Sequence, residues 1–189
     1  MKKSIKILAI GNSFSQDACR YLHPIAASLG IDWECVNLYI GGCSLERHWE
    51  NVQKDGDKKF LPYGFARNCE GKVTRGKTNV CDTLRSEKWD IVTIQQASGK
   101  SWQKESYHPF GDELVAKIRE LAPTAKIYIQ ETWSYTPWDK RLKKWKIDQN
   151  EMYEKLKAAY ADFAKQHSLT VIPMGTAVQE WRKRLPVKY

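Results

Sequence analysis

Ile5-Lys-Ile-Leu-Ala-Ile-Gly-Asn-Ser-Phe-Ser15 is the stretch that decides the fold of this 189-residue chain. Residues 5–10 are β-prone and nearly continuous in apolar character, which is typical of a strand covered by helices on both faces. A glycine, an asparagine and a serine follow at once, and a helical pattern over residues 16–29 ends before Gly30. The stretch therefore predicts a strand that turns directly into a helix, with Ser13 at the junction.

Strand and helix patterns continue to alternate along the chain. Strand character recurs at residues 34–39, 91–95, 126–130 and 169–172, of which 34–39 is the least regular. Helical patterns at 111–121 and 147–167 lie between the later strands. Alternating strands and helices predict right-handed parallel crossovers, and hence an α/β fold with about five strands in a three-layer α/β/α sandwich.

The length predicts a single domain over residues 1–189 that is large enough to bury a core. Residues 51–85 break the rhythm, because several glycines and a proline lie there among many charges. We interpret 51–85 as an irregular insertion packed on the domain, within which residues 70–76 are compatible with a hairpin.

Composition restricts the function classes. The formal charge of +9 is concentrated in residues 140–146 and 181–184, but no nucleic-acid-binding motif accompanies it, so we predict no nucleic-acid partner. No stretch approaches the roughly 20 apolar residues that span a bilayer. The basic and then apolar start is too short for a signal peptide and lacks a cleavage site, which favours a cytoplasmic location.

The five cysteines are odd in number and none belongs to a C-x-x-C pair. They therefore indicate neither a disulfide framework nor a zinc site, and incidental free thiols are the expectation. No metal or other cofactor is predicted.

Ser13 is the first candidate for chemistry, because ligands of parallel α/β sheets bind beyond the carboxyl ends of the strands. A serine at a helix N-terminus aims its hydroxyl and its backbone N–H at one point, which suits a nucleophile whose own amide holds the oxyanion. The alternative is a helix cap, since Ser13-x-x-Gln16 matches a capping box. The motif is not G-x-S-x-G, which excludes the α/β-hydrolase elbow.

Two other strand ends carry groups of the same kind. Gly41-Gly42 follows the second strand and predicts either a tight turn or a bare backbone N–H facing an oxyanion. Gln95 and Gln96 end the third strand and are either a polar strand end or amide donors to that oxyanion.

Several blocks together carry a resemblance to a known family. They are residues 7–15, residues 41–49 (GGCSLERHW), residues 89–98 (WDIVTIQQAS), residues 130–133 (QETW) and residues 172–177 (IPMGTA). The chain resembles the SGNH-hydrolase (GDSL-like esterase) superfamily, and more narrowly a bacterial branch that begins GNSFS in place of GDS. The resemblance implies a flavodoxin-like sheet of order 2-1-3-4-5 and hydrolysis of esters, often of acyl groups on carbohydrates.

By this resemblance Ser13 is the nucleophile, and the Ser13 and Gly42 amides form part of the oxyanion hole. Two departures from the family pattern stand out. The family's G-x-N-D block aligns with residues 97–100, which lack the asparagine, so Gln96 is the first substitute and Gln95 the second. The family's Asp-x-x-His loop and last helix are not found, which suggests a truncated chain.

Two histidines remain as alternative bases, His48 and His108, because they follow the second and third strands. We predict substrate contacts for a further set of residues near the strand ends: Asn12, Gln95, His48, Glu131 and Trp133. The alternative for Glu131 is a helix cap. Trp133 belongs to a group of loop aromatics that either stack on sugar faces or pack the rim.

The leading hypothesis is an SGNH-type esterase that cleaves a short acyl ester, with a small-molecule or glycan ester as its substrate. The alternative is a non-catalytic carbohydrate-binding module of the same fold. A nucleotide-binding protein is a weaker third hypothesis, because the loop at residues 11–15 lacks the glycine-rich pattern of such sites.

Overall fold

A computed structural model describes residues 4–69 and 72–184, the side chains of 68–69 and 72–75 excepted. In this part of the chain, seven strands form one sheet of order β4-β3-β2-β1-β5-β6-β7. The strands are β1 Ile5–Gly11, β2 Trp33–Tyr39, β3 Tyr63–Cys69, β4 Lys72–Thr78, β5 Ile91–Ile94, β6 Lys126–Gln130 and β7 Thr170–Ile172. The helices are α1 Ser13–Arg20, α2 Leu22–Ser28, α3 Leu45–Val52, α4 Val80–Ser86, α5 Phe110–Leu121, α6 Lys140–Trp145, α7 Gln149–His167 and α8 Met174–Arg184.

The predicted α/β fold is confirmed. Five of the strands, in the order β2-β1-β5-β6-β7, pair in parallel, which is the predicted 2-1-3-4-5 arrangement. Helical connections between parallel neighbours place the carboxyl ends of these strands along one edge of the sheet. That edge carries the loops after β1, β2, β5 and β6.

The stretch 51–85 differs from our prediction of an irregular insertion, and the hairpin considered at 70–76 includes residues 70–71, which lie outside the described residues. It contains the end of α3, the strands β3 and β4, and helix α4, and β3 pairs antiparallel with β2. Tyr63 is fully buried and Phe65 packs against the core, so alternate residues of β3 face inward. Arg67, the next inward residue, forms ion pairs with Glu34 and Glu87. Because Arg67 is charged, the sequence of β3 does not show the alternation of apolar and polar residues that is typical of a strand.

The helix predicted at 16–29 is two helices that meet at Tyr21. Pro24 has no backbone N–H and cannot lie inside one continuous helix without losing a hydrogen bond. Because the chain starts a new helix at Leu22, Pro24 falls in a first turn, where its N–H would have no partner in any case. The break therefore follows from the position of the proline.

The two faces of the sheet are covered differently. In β1, Leu8 and Ile10 belong to the main core, beneath α5 and α7. Ile7 and Ala9 point to the other face, where α1, α2 and the start of α8 border an apolar cavity of about 340 Å³. Strands β5 and β6 alternate in the same way. Within the described residues, none of the helices has the length and apolar character that crossing a membrane requires.

Candidate active site

Asn12 connects the ends of β1, β2 and β5 at the edge of the sheet that carries the carboxyl ends of the parallel strands, which we call the mouth. It is buried, with 1% of its surface exposed, and its Oδ1 accepts a hydrogen bond from the Phe14 N–H at 3.1 Å, which caps α1. Its Nδ2 donates to the Cys43 carbonyl at 3.0 Å, so the loop after β1 is tied to the loop after β2. We predicted a substrate contact for Asn12. In the structure, the Asn12 side chain instead caps α1 and connects the loop after β1 to the loop after β2.

Ser13 is the first residue of α1, and it is exposed. Because Asn12 caps the helix, the capping-box interpretation of Ser13 is wrong. No hydrogen bond within the described part of the chain engages the Ser13 hydroxyl. Ser13 therefore has an exposed hydroxyl without a hydrogen-bond partner among these residues, in the first turn of α1, whose backbone N–H groups carry the positive end of the helix dipole.

Gly42 lies next to the Asn12–Cys43 hydrogen bond and is exposed. Its φ of 61° is in the left-handed region, which favours glycine over residues with a side chain. A Cβ atom at this position would have no neighbour within 4 Å, so the space above the loop is open. The structure thus brings Ser13 and Gly42 to the same mouth through Asn12.

Gln95 follows β5 at the same edge of the sheet, but it is buried, with 1% of its surface exposed. Its side chain bonds the start of α1 in either orientation of the amide. Nε2 donates to Asn12 Oδ1 at 2.5 Å, or the reversed amide accepts from the Ser15 N–H at 3.1 Å. The predicted substrate contact of Gln95 is replaced by a contact that links β5 to α1.

Gln96 is fully buried, and its amide is fully used. Nε2 donates to the backbone oxygen of Ser106 at 2.9 Å and to its hydroxyl at 3.2 Å, while Oε1 accepts from the backbone N–H groups of Leu45 and Ala97. Both amide protons are therefore committed to Ser106. We do not retain Gln96 as a donor to the oxyanion.

His48 lies in the core between α3 and β3 and is fully buried. Its Nδ1 is 2.8 Å from the Tyr63 hydroxyl, and the two rings are stacked. Burial, aided by the neighbouring charge of Arg47, lowers the pKa of His48 from 6.5 to about 3, so the imidazole is neutral. Neither the predicted substrate contact nor a role as base fits this position.

Glu131 is also buried, with 3% exposed. Its Oε2 accepts hydrogen bonds from the Thr176 N–H at 2.8 Å and from the Thr176 hydroxyl at 2.9 Å, both in the first turn of α8. Of its two predicted roles, the structure shows the helix cap. The carboxylate fixes the start of α8 against the end of β6.

Of the five residues predicted to contact substrate, Trp133 is partly exposed, whereas the other four are buried. It is half-buried, and its ring lies 4.1 Å from that of Phe14, the neighbour of Ser13. Tyr135, by contrast, has the Arg141 guanidinium 3.6 Å from its ring centre and Trp145 stacked at 5.7 Å. These rim aromatics pack mainly against each other and against cations, which leaves few free ring faces.

The four histidines all contact groups other than Ser13 in the described residues. His108 Nδ1 lies 2.8 Å from the carboxylate of Asp112, and His167 Nε2 lies 2.6 Å from the same carboxylate. His23 bonds the backbone oxygen of Trp33. Among these residues, no group of three or more His, Cys, Asp or Glu side chains could hold a metal ion.

Comparison with known proteins finds solved structures of similar fold. A DUF4886 family protein from Bacteroides uniformis is 36% identical, with a TM-score of 0.84 over 94% of this chain and 70% of that one. A Slackia heliotrinireducens protein proposed to be an SGNH hydrolase is 20% identical, with a TM-score of 0.58 over 89% and 78% of the two chains. The Clostridium thermocellum family 3 carbohydrate esterase is 11% identical, with a TM-score of 0.56 over 90% and 78%.

The last two likenesses show that the fold is that of SGNH hydrolases and esterases. A comparison with curated proteins gave no match. The model of one family, described as a domain of unknown function, matches residues 6–185. This chain belongs to that family, DUF4886.

Proposed function

We propose that this protein is an SGNH-type serine esterase in which Ser13 attacks the carbonyl carbon of a short acyl ester. The observation that carries the proposal is the division of roles at the start of α1. Asn12 satisfies the helix end, and Ser13 keeps an exposed hydroxyl without a partner among the described residues. A serine needed only as a cap would not be placed this way.

In the proposed reaction, the backbone N–H groups of Ser13 and Gly42 bind the oxyanion that forms when the Ser13 oxygen adds to the carbonyl. The alcohol then leaves as the C–O bond breaks, and water hydrolyses the acyl-serine. The open space above Gly42 and its fixed left-handed turn support this role, because the N–H can approach substrate without a side chain in between.

The base is the part of the mechanism that the described residues do not supply. Their four histidines bond Asp112, Trp33 or Tyr63 instead of Ser13. The superfamily resemblance implies an Asp-x-x-His pair in a loop after the last strand, which would take the Ser13 proton and return it to the leaving alcohol.

A carbohydrate ester is the substrate class that we favour. The fold is shared with a carbohydrate esterase, and Trp133, which is half-buried, lies beside Phe14, the neighbour of Ser13. We also predict, from the sequence, that the protein acts in the cytoplasm.

The test is hydrolysis of 4-nitrophenyl acetate and of acetylated oligosaccharides by the protein as its gene encodes it, next to Ser13→Ala. We expect Ser13→Ala to lower kcat/KM by at least about 10³-fold, because the nucleophile is lost. Ser28→Ala, which removes an exposed serine on α2, is the matched control and keeps full activity. Equal activity of Ser13→Ala and the unmodified protein would refute the proposal.

A non-catalytic carbohydrate-binding protein is the second candidate. The position of the four histidines favours it, because none contacts Ser13 within the described residues. This candidate predicts that calorimetry detects binding of an acetylated oligosaccharide while no acetate is released. Release of acetate that depends on Ser13 would exclude it.

A further inference from the structure

Two thiols on neighbouring elements are in contact. Cys19 lies in the last turn of α1 and Cys35 lies in β2, and their sulfur atoms are 3.2 Å apart. Both are in the reduced sulfhydryl form, and they are 16 residues apart in the chain. A disulfide has a sulfur–sulfur distance of about 2.05 Å, so an approach of about 1 Å would join them.

The two thiols differ in access. Cys19 is half-buried and borders the apolar cavity between α1 and the sheet, whereas Cys35 is buried with 1% exposed. The Cys35 S–H donates its hydrogen bond to Cys19 Sγ, and this bond together with burial raises the pKa of Cys35 well above its usual value. Cys35 therefore keeps its proton, and Cys19 is the sulfur that a small oxidant reaches first.

We propose that Cys19 and Cys35 form a reversible disulfide on oxidation by a peroxide. The Cys19 thiolate attacks a peroxide oxygen, the O–O bond breaks and hydroxide leaves, which gives a sulfenic acid. The Cys35 sulfur then attacks the sulfenic sulfur, the S–O bond breaks, and water leaves with the Cys35 proton. The peroxide gains the two electrons that the two thiols lose, and a thiol reductant restores both sulfhydryls.

The other described cysteines have different surroundings. Cys43 is buried with its sulfur 3.5 Å from His48 Nδ1, and Cys81 is buried in α4. Neither has a second sulfur in hydrogen-bond contact, so the geometry selects the pair of Cys19 and Cys35. The disulfide would tether α1, whose first residue is Ser13, to the strand that leads to Gly42.

The experiment oxidises the folded protein with hydrogen peroxide, blocks free thiols and maps the linked peptides by mass spectrometry. Trypsin releases Cys19 in residues 7–20 but leaves Cys35 and Cys43 together in residues 21–47, so chymotrypsin is added to cleave after Tyr39. We expect a mass loss of about 2 Da and a link between the Cys19 and Cys35 peptides, reversed by dithiothreitol.

Two variants sharpen the test. Cys81→Ser keeps the link, whereas Cys35→Ser loses it and accumulates a Cys19 sulfenic acid that dimedone labels, because the resolving thiol is absent. Oxidation that leaves Cys19 and Cys35 unlinked, or that links Cys35 to Cys43 as often as to Cys19, would overturn the proposal. So would a Cys35→Ser protein that dimedone fails to label at Cys19.

Discussion

At the scale of single residues, the proposed function gives Asn12 and Ser13 two tasks that one serine could not perform together. A capping hydroxyl must point back at the N–H groups of its own helix, whereas a nucleophile must point away from them. The asparagine has the longer side chain, so it caps α1 with Oδ1 and reaches the Cys43 carbonyl with Nδ2. The serine that follows is left exposed.

This division predicts different stabilities for two alanine variants. Asn12→Ala loses the cap and leaves a carbonyl at Cys43 without its partner, which we expect to lower the free energy of unfolding by about 2–3 kcal/mol. Ser13→Ala changes it by less than about 0.5 kcal/mol, because the hydroxyl is exposed and unbonded. Urea denaturation measures both. A Ser13→Ala loss as large as that of Asn12→Ala would show that Ser13 is the cap after all.

Gly42 allows a second prediction at this scale. Gly42→Ala has open space for its methyl group but must keep a φ of 61°, which we expect to lower the free energy of unfolding by about 1–2 kcal/mol. Gly76→Ala is the matched control, since a Cβ there also meets nothing within 4 Å and its φ is not positive. Equal midpoints of the two variants in urea would count against backbone strain at Gly42.

The sequence pointed to Ser13 and Gly42 because their signal is local: a strand, a turn and a helix in succession. It could not assign Gln96, whose amide bonds Ser106 and Leu45 through contacts that only the folded chain creates. Asn12 was available to sequence reasoning, since asparagine is as good a helix cap as serine. The capping-box match at Ser13 is a competing signal one residue away.

At the scale of elements, the regular strands and helices were predictable where each one carries its own periodicity. Strand β6 has the predicted bounds of 126–130, and α5 and α7 begin within two residues of their predicted starts. The strand β3 was missed because its inward residues include Arg67, which is compatible with the sheet only through Glu34 and Glu87. Those partners come from β2 and from the segment after α4, so no local pattern reveals them.

The packing of α3 on β3 predicts a specific pH dependence. His48 has a folded-state pKa of about 3, below its usual 6.5, so the unfolded chain binds the proton more readily. The stability from the neutral, buried imidazole is complete above pH 6.5 and is lost progressively as pH falls towards 3. Between pH 7 and pH 5 we expect a loss of about 2 kcal/mol in the free energy of unfolding from this residue.

The measurement is urea denaturation of the unmodified protein and of His48→Gln at several pH values in that window. The variant is less stable at pH 7, because it disturbs the contact with the Tyr63 hydroxyl. Its stability nevertheless falls less steeply with decreasing pH, since the titrating group is gone. Parallel curves for the two proteins would contradict the assignment.

At the scale of the whole molecule, the two faces of the sheet have unequal cover. Four helices, α3, α4, α5 and α7, pack among themselves and with the short turn before α5, above the main core. On the opposite face, α1, α2 and the start of α8 leave an apolar cavity of about 340 Å³ over β1, β5 and β6. Among the described residues, the main core therefore lies on the face that carries α5, and this cavity lies on the face that carries α1.

Helix α2 and its two flanking residues carry exposed apolar side chains on the face of the sheet that holds this cavity. Tyr21, Ile25 and Leu29 recur at a spacing of four residues, which places them on one side of the helix, and they are 56%, 55% and 69% exposed. Large exposed apolar patches bind hydrophobic dyes and promote association between molecules. We therefore expect this side of α2 to dominate dye binding by the folded protein.

The double variant Ile25→Gln with Leu29→Gln tests this expectation without changing the net charge. Because both side chains are exposed, the free energy of unfolding changes by less than about 1 kcal/mol. Anilinonaphthalene sulfonate fluorescence and the fraction of larger species in sedimentation velocity both fall. Leu61→Gln, which alters an exposed leucine outside α2, is the control and leaves both signals unchanged. Unchanged fluorescence in the double variant would place the dye in the cavity beneath α1 instead, since its lining of Ile7, Leu22 and Tyr128 is untouched by these substitutions.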